Sequence, residues 1–340
     1  MDDTDGRTVV LKSTPPAHDV ELPTPDTGRW LDVLVARARV ASRTRGPSLA
    51  AAFTVKSGYR RYSDRSGRGF EWPALWCRLH VSAEGGDQLT DGTSDLDEVP
   101  ELLEAMAGEL VERRATEPAA LPTKRMPLVL SPTVSSVLMH ELVGHVAERL
   151  PIGAQPQLIG PHSLSVIARH PRIAGFDDEG IAVGQVPIVV NGLLQGPVLG
   201  ARAAGEGQAA SGLAQAAWHQ GPPQARCTHL LVNPGEPTGV MLAETGEAIL
   251  CLDTSGAELF GHYALLGISA SILLRDGQAI HRLPPFSVGL RLQDLPRHLT
   301  AVGDDVHHGR AGMCVKGDQA LPTRVLAPSM VLRGVRPNGL

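Results

Sequence analysis

His140, Glu141 and His145 stand together in one apolar stretch, residues 131–150, SPTVSSVLMHELVGHVAERL. Two neutral imidazole nitrogens and a carboxylate are what a hydrolytic zinc site needs: two ligands, and a base for the water that the metal activates. The spacing departs from the common His-Glu-x-x-His. In that motif, residues four apart differ by about 40° around an α-helix, so both rings reach one ion. Residues five apart differ by about 140° on a regular helix, too far for a shared metal. A π-bulge, with local i→i+5 pairing, brings such positions back into line. Gly144, beside the second histidine, makes a local distortion cheap. The competing reading is a buried helix carrying two unrelated histidines.

The elements that must position these residues are legible around them. Ser131 is a good N-cap and Pro132 suits the first helical position, while Val134, Val137, Leu138 and Leu142 recur at helical spacing. MPLVL, from Met126, reads as a short buried strand feeding the helix. Glu148 lies one turn beyond His145. It either orients an imidazole through a hydrogen bond or faces solvent, paired with a neighbour such as Arg149.

HELVGHVAE resembles the signature of the TldD/PmbA family of metallopeptidases. Active members of that family carry His-Glu-x-x-x-His, usually with Gly before the second His and Glu three residues after it. His140, Glu141, Gly144, His145 and Glu148 fit. FDDEG, at 176–180, is similar to an acidic segment downstream of the helix in that family, and GMCVKGDQALPTRVLAPSMVLRGV, at 312–335, resembles its closing segment. The resemblance implies a zinc-dependent peptidase with Cys314 as third ligand; His307 and His308 are nearby alternatives. Glu141 would serve as general base. Asp177, Asp178 and Glu179 would support the site or hold a substrate amine, against the plain reading of a solvated acidic loop. The family acts on small or unfolded peptides as dimers. A homodimer, or a heterodimer with a related TldE/PmbA-like chain, is therefore implied. Relative to the family, the part before the first hairpin reads as shortened. Two other readings stand beside this one: a non-catalytic subunit supporting a partner peptidase, and an amidase acting on a small peptide-like metabolite.

Composition narrows the class. Hydrophobic residues make up 42% and charged residues 20%, as in ordinary globular proteins. A formal net charge of -5 argues against general polyanion binding, and an aromatic content of 4% against stacking platforms for nucleic acid. No apolar run is long enough to span a membrane, and the acidic N-terminus lacks a signal-peptide core, so a cytoplasmic location is expected. None of Cys77, Cys227, Cys251 and Cys314 forms a Cys-x-x-Cys pair, which argues against a zinc ribbon. Cys77, Cys227 and Cys251, in strand-like runs, read as small core residues.

The expected organisation is α+β: a flexible tail over 1–28, a small α/β domain over 29–125, and a metal-binding, β-rich catalytic domain over 126–340. A helix is expected from Arg29, a hairpin from two runs flanking 63–69, and an amphipathic helix over 96–114 on Val99, Leu102, Leu103, Met106 and Leu110. NGLLQG and RDGQAI read as hairpin turns. The small-residue-rich stretch 201–224 reads as a flexible loop or lid.

Overall fold

The computed structural model describes residues 9–13, 49–63, 69–83, 87–114, 116–172, 175–201, 203–204, 209–217 and 220–339. The expected tail and the helix from Arg29 lie outside these residues, apart from one short strand. The chain divides into two compact units, Met1–Ala115 and Thr116–Leu340. The architecture is α+β, as the sequence patterns indicate.

In the first unit, β1 (Val9–Ser13), β2 (Leu49–Ser63), β3 (Gly69–Ala83) and β4 (Gln88–Thr93) form one sheet in sequential order. β2 and β3 are the expected hairpin, antiparallel from Leu49↔Ala83 to Ser63↔Gly69. A 3₁₀ turn, Leu96–Glu98, is capped by the Asp95 side chain and leads into α1 (Val99–Arg114). Val99, Leu103, Met106 and Leu110 are fully buried against Leu79, Val81 and Leu89 of the sheet, so the stripe read from the sequence is the packed face.

The second unit holds two large sheets and one central helix. β5 (Leu128–Leu130) enters the helical segment α2, which is α over Pro132–Met139, π over His140–Gly144 and α again over His145–Ala147. The first sheet takes in β6 (Gln157–Leu158), β7 (Val166–Arg169), β8 (Gln185–Val190) and β9 (Leu193–Leu194). A separate two-stranded ribbon, β10 (Ala214–Ala217) and β11 (Gln220–Ala225), follows. β12 (His229–Val232) returns to the first sheet, and α3 (Thr238–Thr245) leads to the second.

That second sheet contains β5 and four long or medium strands: β13 (Ala248–Phe260), β14 (Tyr263–Arg275), β15 (Gln278–Leu283) and β16 (Phe286–Arg291). β17 (Leu299–Val302) lies at one of its edges. β18 (His307–His308), β19 (Gly312–Lys316) and β20 (Gln319–Ala327) join the first sheet, while β21 (Met330–Leu332) and β22 (Asn338–Gly339) complete the second. Asn191-Gly192 and Asp276-Gly277 make the two expected turns. All four residues have positive φ, 51° and 78° in the first and 51° and 75° in the second, which is what a two-residue hairpin of primed type requires.

α2 is buried on every side. Val134, Leu138, Met139, Leu142, Val143 and Val146 belong to one cluster with Val166, Leu230 and Ala168 of the first sheet and Ile249, Leu266 and Phe286 of the second. A helix apolar all round is stable only as a core element. Its N-terminus follows the sequence: the Ser131 hydroxyl accepts from Val134 N at 3.3 Å and donates to Leu252 O at 2.9 Å. The stretch 201–224 departs from expectation. Its second half is the β10–β11 ribbon, because Ala214 N and Ala216 N are tied by carboxylates and Ala217 N by Gln319 Oε1.

Across the first sheet, His229 of β12 sits between Arg169 of β7 and Arg324 of β20. Burial and these two cations press its imidazole down from 6.5 to about 4. The folded chain therefore refuses a proton that the unfolded chain accepts below about 6.5, so stability falls as pH drops from 6.5 towards 4. His229→Gln should flatten this dependence, as read by thermal unfolding across that range. An unchanged slope would remove His229 as its source.

Candidate metal centre

The π-turn is where the sequence carries its extra residue. His145 N donates to His140 O, an i→i+5 bond that widens the helix by one position. The imidazoles meet in consequence, with ring centroids 4.7 Å apart and planes at 66°. Gly144 serves differently from the sequence expectation. Its φ and ψ, -60° and -57°, are ordinary helical values that need no glycine. What disfavours a side chain is packing: a Cβ there would lie 3.0 Å from the Cβ of Cys227, close enough to make that neighbour shift.

Cys314 arrives from β19, far along the chain. The donor atoms of His140, His145 and Cys314 lie within 4.8 Å of one another, and all three residues are buried. Cys314 Sγ is 3.4 Å from His145 Nε2. His140 Nδ1 lies 3.1 Å from Cys227 O, so it is the protonated nitrogen and Nε2 is left with a lone pair. That Nε2 is buried and has no hydrogen-bond partner among the described residues. A buried acceptor facing a second imidazole and a thiol forms a donor set that a bound cation would satisfy. The donor set, two nitrogens and one sulfur, fits a divalent ion of zinc type, with one position left for a reactant.

The electrostatics agree. Burial drives thiols up: Cys77 to about 12, and Cys227 and Cys251 also well above their ordinary value. Burial pushes Cys314 up too, yet its contact with His145 and the nearby charge of His140 and His145 outweigh desolvation and bring it to about 5. Burial would lower His145, but its bonds to Cys314 and Glu148 win and raise it to about 10. The same contact thus draws the thiol down and the imidazole up. Glu141 Oε2 lies 3.9 Å from His145 Nε2. Burial raises the Glu141 carboxyl above its ordinary range, against the opposing pull of the two histidines, which makes it a better proton acceptor.

Glu148 does not face solvent and does not pair with Arg149. Its side chain is fully buried, 3.2 Å from His145 Nδ1 and 2.9 Å from Lys316 Nζ. It also accepts from Cys227 N at 2.6 Å. Desolvation opposes its charge, but these three partners hold its carboxyl at about 2. Lys316 is absent from the sequence reading. The signal that reveals it is strand periodicity, since residues 314 and 316 of β19 share a face. Cys227 and Arg226 contribute through contacts that no local pattern announces. Asp177, Asp178 and Glu179 do not make a solvated loop. Asp177 accepts from Glu179 N, Ile181 N and Ala214 N; Asp178 from Ala216 N and Arg172; Glu179 from Ala201 N. His307 and His308 form an exposed short strand outside the cluster.

A family model described as the PmbA/TldA metallopeptidase C-terminal domain matches residues 123–339. The chain belongs to the PmbA/TldD family. A curated relative in Synechocystis sp., named as a metalloprotease, is 25% identical over 268 residues. That alignment covers 73% of this chain but 57% of the relative, so the chain spans little more than half of the relative's length. Among solved structures, TldE from Thermococcus kodakarensis has a TM-score of 0.70 at 16% identity, covering 96% of this chain and 79% of that one. A putative modulator of a DNA gyrase from Thermotoga maritima has a TM-score of 0.65 at 15% identity, covering 96% and 78%. At these identities the structures establish a shared PmbA/TldD fold. Among the described residues no helix is long and apolar enough to cross a membrane.

The ion pair between Lys316 and the buried Glu148 predicts a stability effect. Lys316→Met should cost about 1–3 kcal/mol, the range for leaving a buried charged acceptor short of a partner. Denaturant unfolding of metal-free protein measures it, and a loss below about 0.5 kcal/mol, typical of surface substitutions, would show that Lys316 does not support Glu148.

Proposed function

We propose that this protein is a zinc-dependent peptidase hydrolysing amide bonds in small or unfolded peptides, with His140, His145 and Cys314 holding the metal and Glu141 acting as general base. The observation that carries the reading is the buried Nε2 of His140, without a hydrogen-bond partner among the described residues, gathered with the donor atoms of His145 and Cys314 within 4.8 Å. Membership of a metallopeptidase family supports it. A zinc ion bound there supplies a Lewis acid that polarises a carbonyl and acidifies water.

The chain's own residues do the rest. Glu141 accepts a proton on its carboxylate from the attacking water and returns it to the departing amine. Glu148 and the Cys227 carbonyl hold Nδ1 of His145 and His140, which fixes both rings with Nε2 inward. Asp177, Asp178 and Glu179 support the site by tying β10 and its neighbouring loop through backbone amides. An extended substrate is aligned by pairing with exposed sheet edges. The catalytic unit is the β-rich part, 126–340, preceded by the α/β part, 29–125. It works in the cytoplasm as a homodimer or with a related TldE/PmbA-like chain. The intact donor set and base favour an enzyme over a metal-free supporting subunit.

Protein purified without added metal should carry about one zinc per chain by elemental analysis, given three protein ligands. Less than a tenth of an equivalent, with none regained on adding zinc, would overturn the reading. Glu141→Gln should keep the metal while hydrolysis of a short-peptide library falls about 10²–10⁴-fold; a metal-loaded variant with undiminished turnover would remove Glu141 from the mechanism. Cys314→Ala should lose zinc, whereas Cys251→Ala, in the core of β13, should retain it. Equal retention would exclude Cys314 as a ligand.

A further inference from the structure

Arg226 is a charged residue with no exposure at all, and the largest of the fully buried side chains. Burying a guanidinium costs several kcal/mol unless an anion accompanies it. Its Nη2 donates to two atoms of one residue, Cys314 O and Cys314 Sγ, each at 2.9 Å. Its Nε and Nη1 have no hydrogen-bond partner among the described residues. No carboxylate approaches it within ion-pair distance among the described residues; Glu148 is committed to His145, Lys316 and Cys227 N. The groups that the buried guanidinium meets are therefore the sulfur and the carbonyl of Cys314.

The position of Arg226 in the chain extends the argument. The next residue, Cys227, accepts from His140 Nδ1 through its carbonyl and donates through its amide to Glu148, which holds His145 Nδ1. Two consecutive residues thus touch, directly or through one carboxylate, all three donor residues. The segment is itself fixed by Arg226 N on Leu213 O at 3.2 Å and by Gln215 Nε2 on Thr228 Oγ1 at 2.8 Å.

We propose that Arg226 is a positioning residue of the metal site, clamping Cys314 by sulfur and carbonyl together and drawing charge from the thiolate so that it donates less to the bound ion. This rests on the reading of Cys314 as a ligand. A forked contact to both ends of one cysteine fixes its side-chain rotation relative to its strand. A cation sharing the sulfur weakens sulfur-to-metal donation, leaving the ion a stronger Lewis acid than two histidines and an unshared thiolate would. Arginine suits the role better than lysine, because it stays charged when buried and is weakly hydrated.

Cobalt(II) in place of zinc makes the thiolate visible through its sulfur-to-cobalt charge-transfer absorption, and the ligand-field bands report coordination geometry separately. The wild-type protein should show the charge-transfer band. Its absence would overturn the assignment of Cys314 as ligand, and this inference with it. In Arg226→Gln and Arg226→Met, with folding checked by circular dichroism, the band should move to longer wavelength as the sulfur becomes a better donor. A band at the wild-type wavelength and intensity in either folded variant would overturn the inference while leaving the ligand assignment intact. If neither variant folds, the wild type decides: in protein with ¹⁵N-labelled arginine, cadmium loading should displace one guanidinium Nη resonance through the shared sulfur, and an unmoved set of arginine resonances would overturn the proposal.

Discussion

A single i→i+5 backbone bond, His145 N to His140 O, is the constraint on which this site depends. A regular helix would separate the two imidazoles by about 140° and send one into the surrounding core. The π-turn removes that offset at the cost of poorer local hydrogen bonding. Such a distortion persists only where its surroundings over-determine it. Here α2 is enclosed by two sheets, Gly144 is pressed against Cys227, and Ser131 holds the helix entrance through Leu252 O.

The second organising feature is charge in a place that disfavours it. Glu148 and Arg226 are both buried without solvent exposure of their side chains, and each is answered by an opposite charge on β19: Lys316 for the first, Cys314 for the second. In a low-dielectric interior, such pairs are costly to break and directional. The first ties β19 to the end of α2 and the second ties it to the segment before β12. Residues 314 and 316 lie on one face of β19, so a slip by one residue would turn both away together. Beside these pairs, His140 and His145 draw the Cys314 thiol down, while the Cys227 carbonyl and Glu148 engage the two Nδ1 atoms.

Further from the centre, carboxylates act as backbone ties. Asp177 and Asp178 reach the amides of Ala214 and Ala216, giving the side-chain-poor strand AQAA the anchors that its own residues cannot supply. Gln215, on that strand, then meets Thr228 beside the Arg226–Cys227 segment. An acidic run that reads as solvent-loving is thus drawn inward by unsatisfied amides.

The sequence by itself determined whatever rests on local patterns. The helix cap at Ser131, the apolar stripe of α1, the Asn-Gly and Asp-Gly turns, the strand before α2 and the need for an i→i+5 distortion all follow from spacing and residue type, which act over a few neighbours. His140, Glu141 and His145 are legible for the same reason. The resemblance of the closing segment to a known family pointed to Cys314, but nothing in its own spacing did. Only the tertiary structure decided the rest. It brought Cys314 to the histidines, chose the buried arrangement of Glu148 over the exposed one, recruited Lys316 and the Cys227 backbone, and gave Gly144 its packing role. It also built a ribbon from a stretch rich in small residues. These depend on which segments meet across long chain separations. Pairings of that kind are set by the register of whole sheets and by the need to satisfy each buried charge and amide, and a linear pattern carries neither.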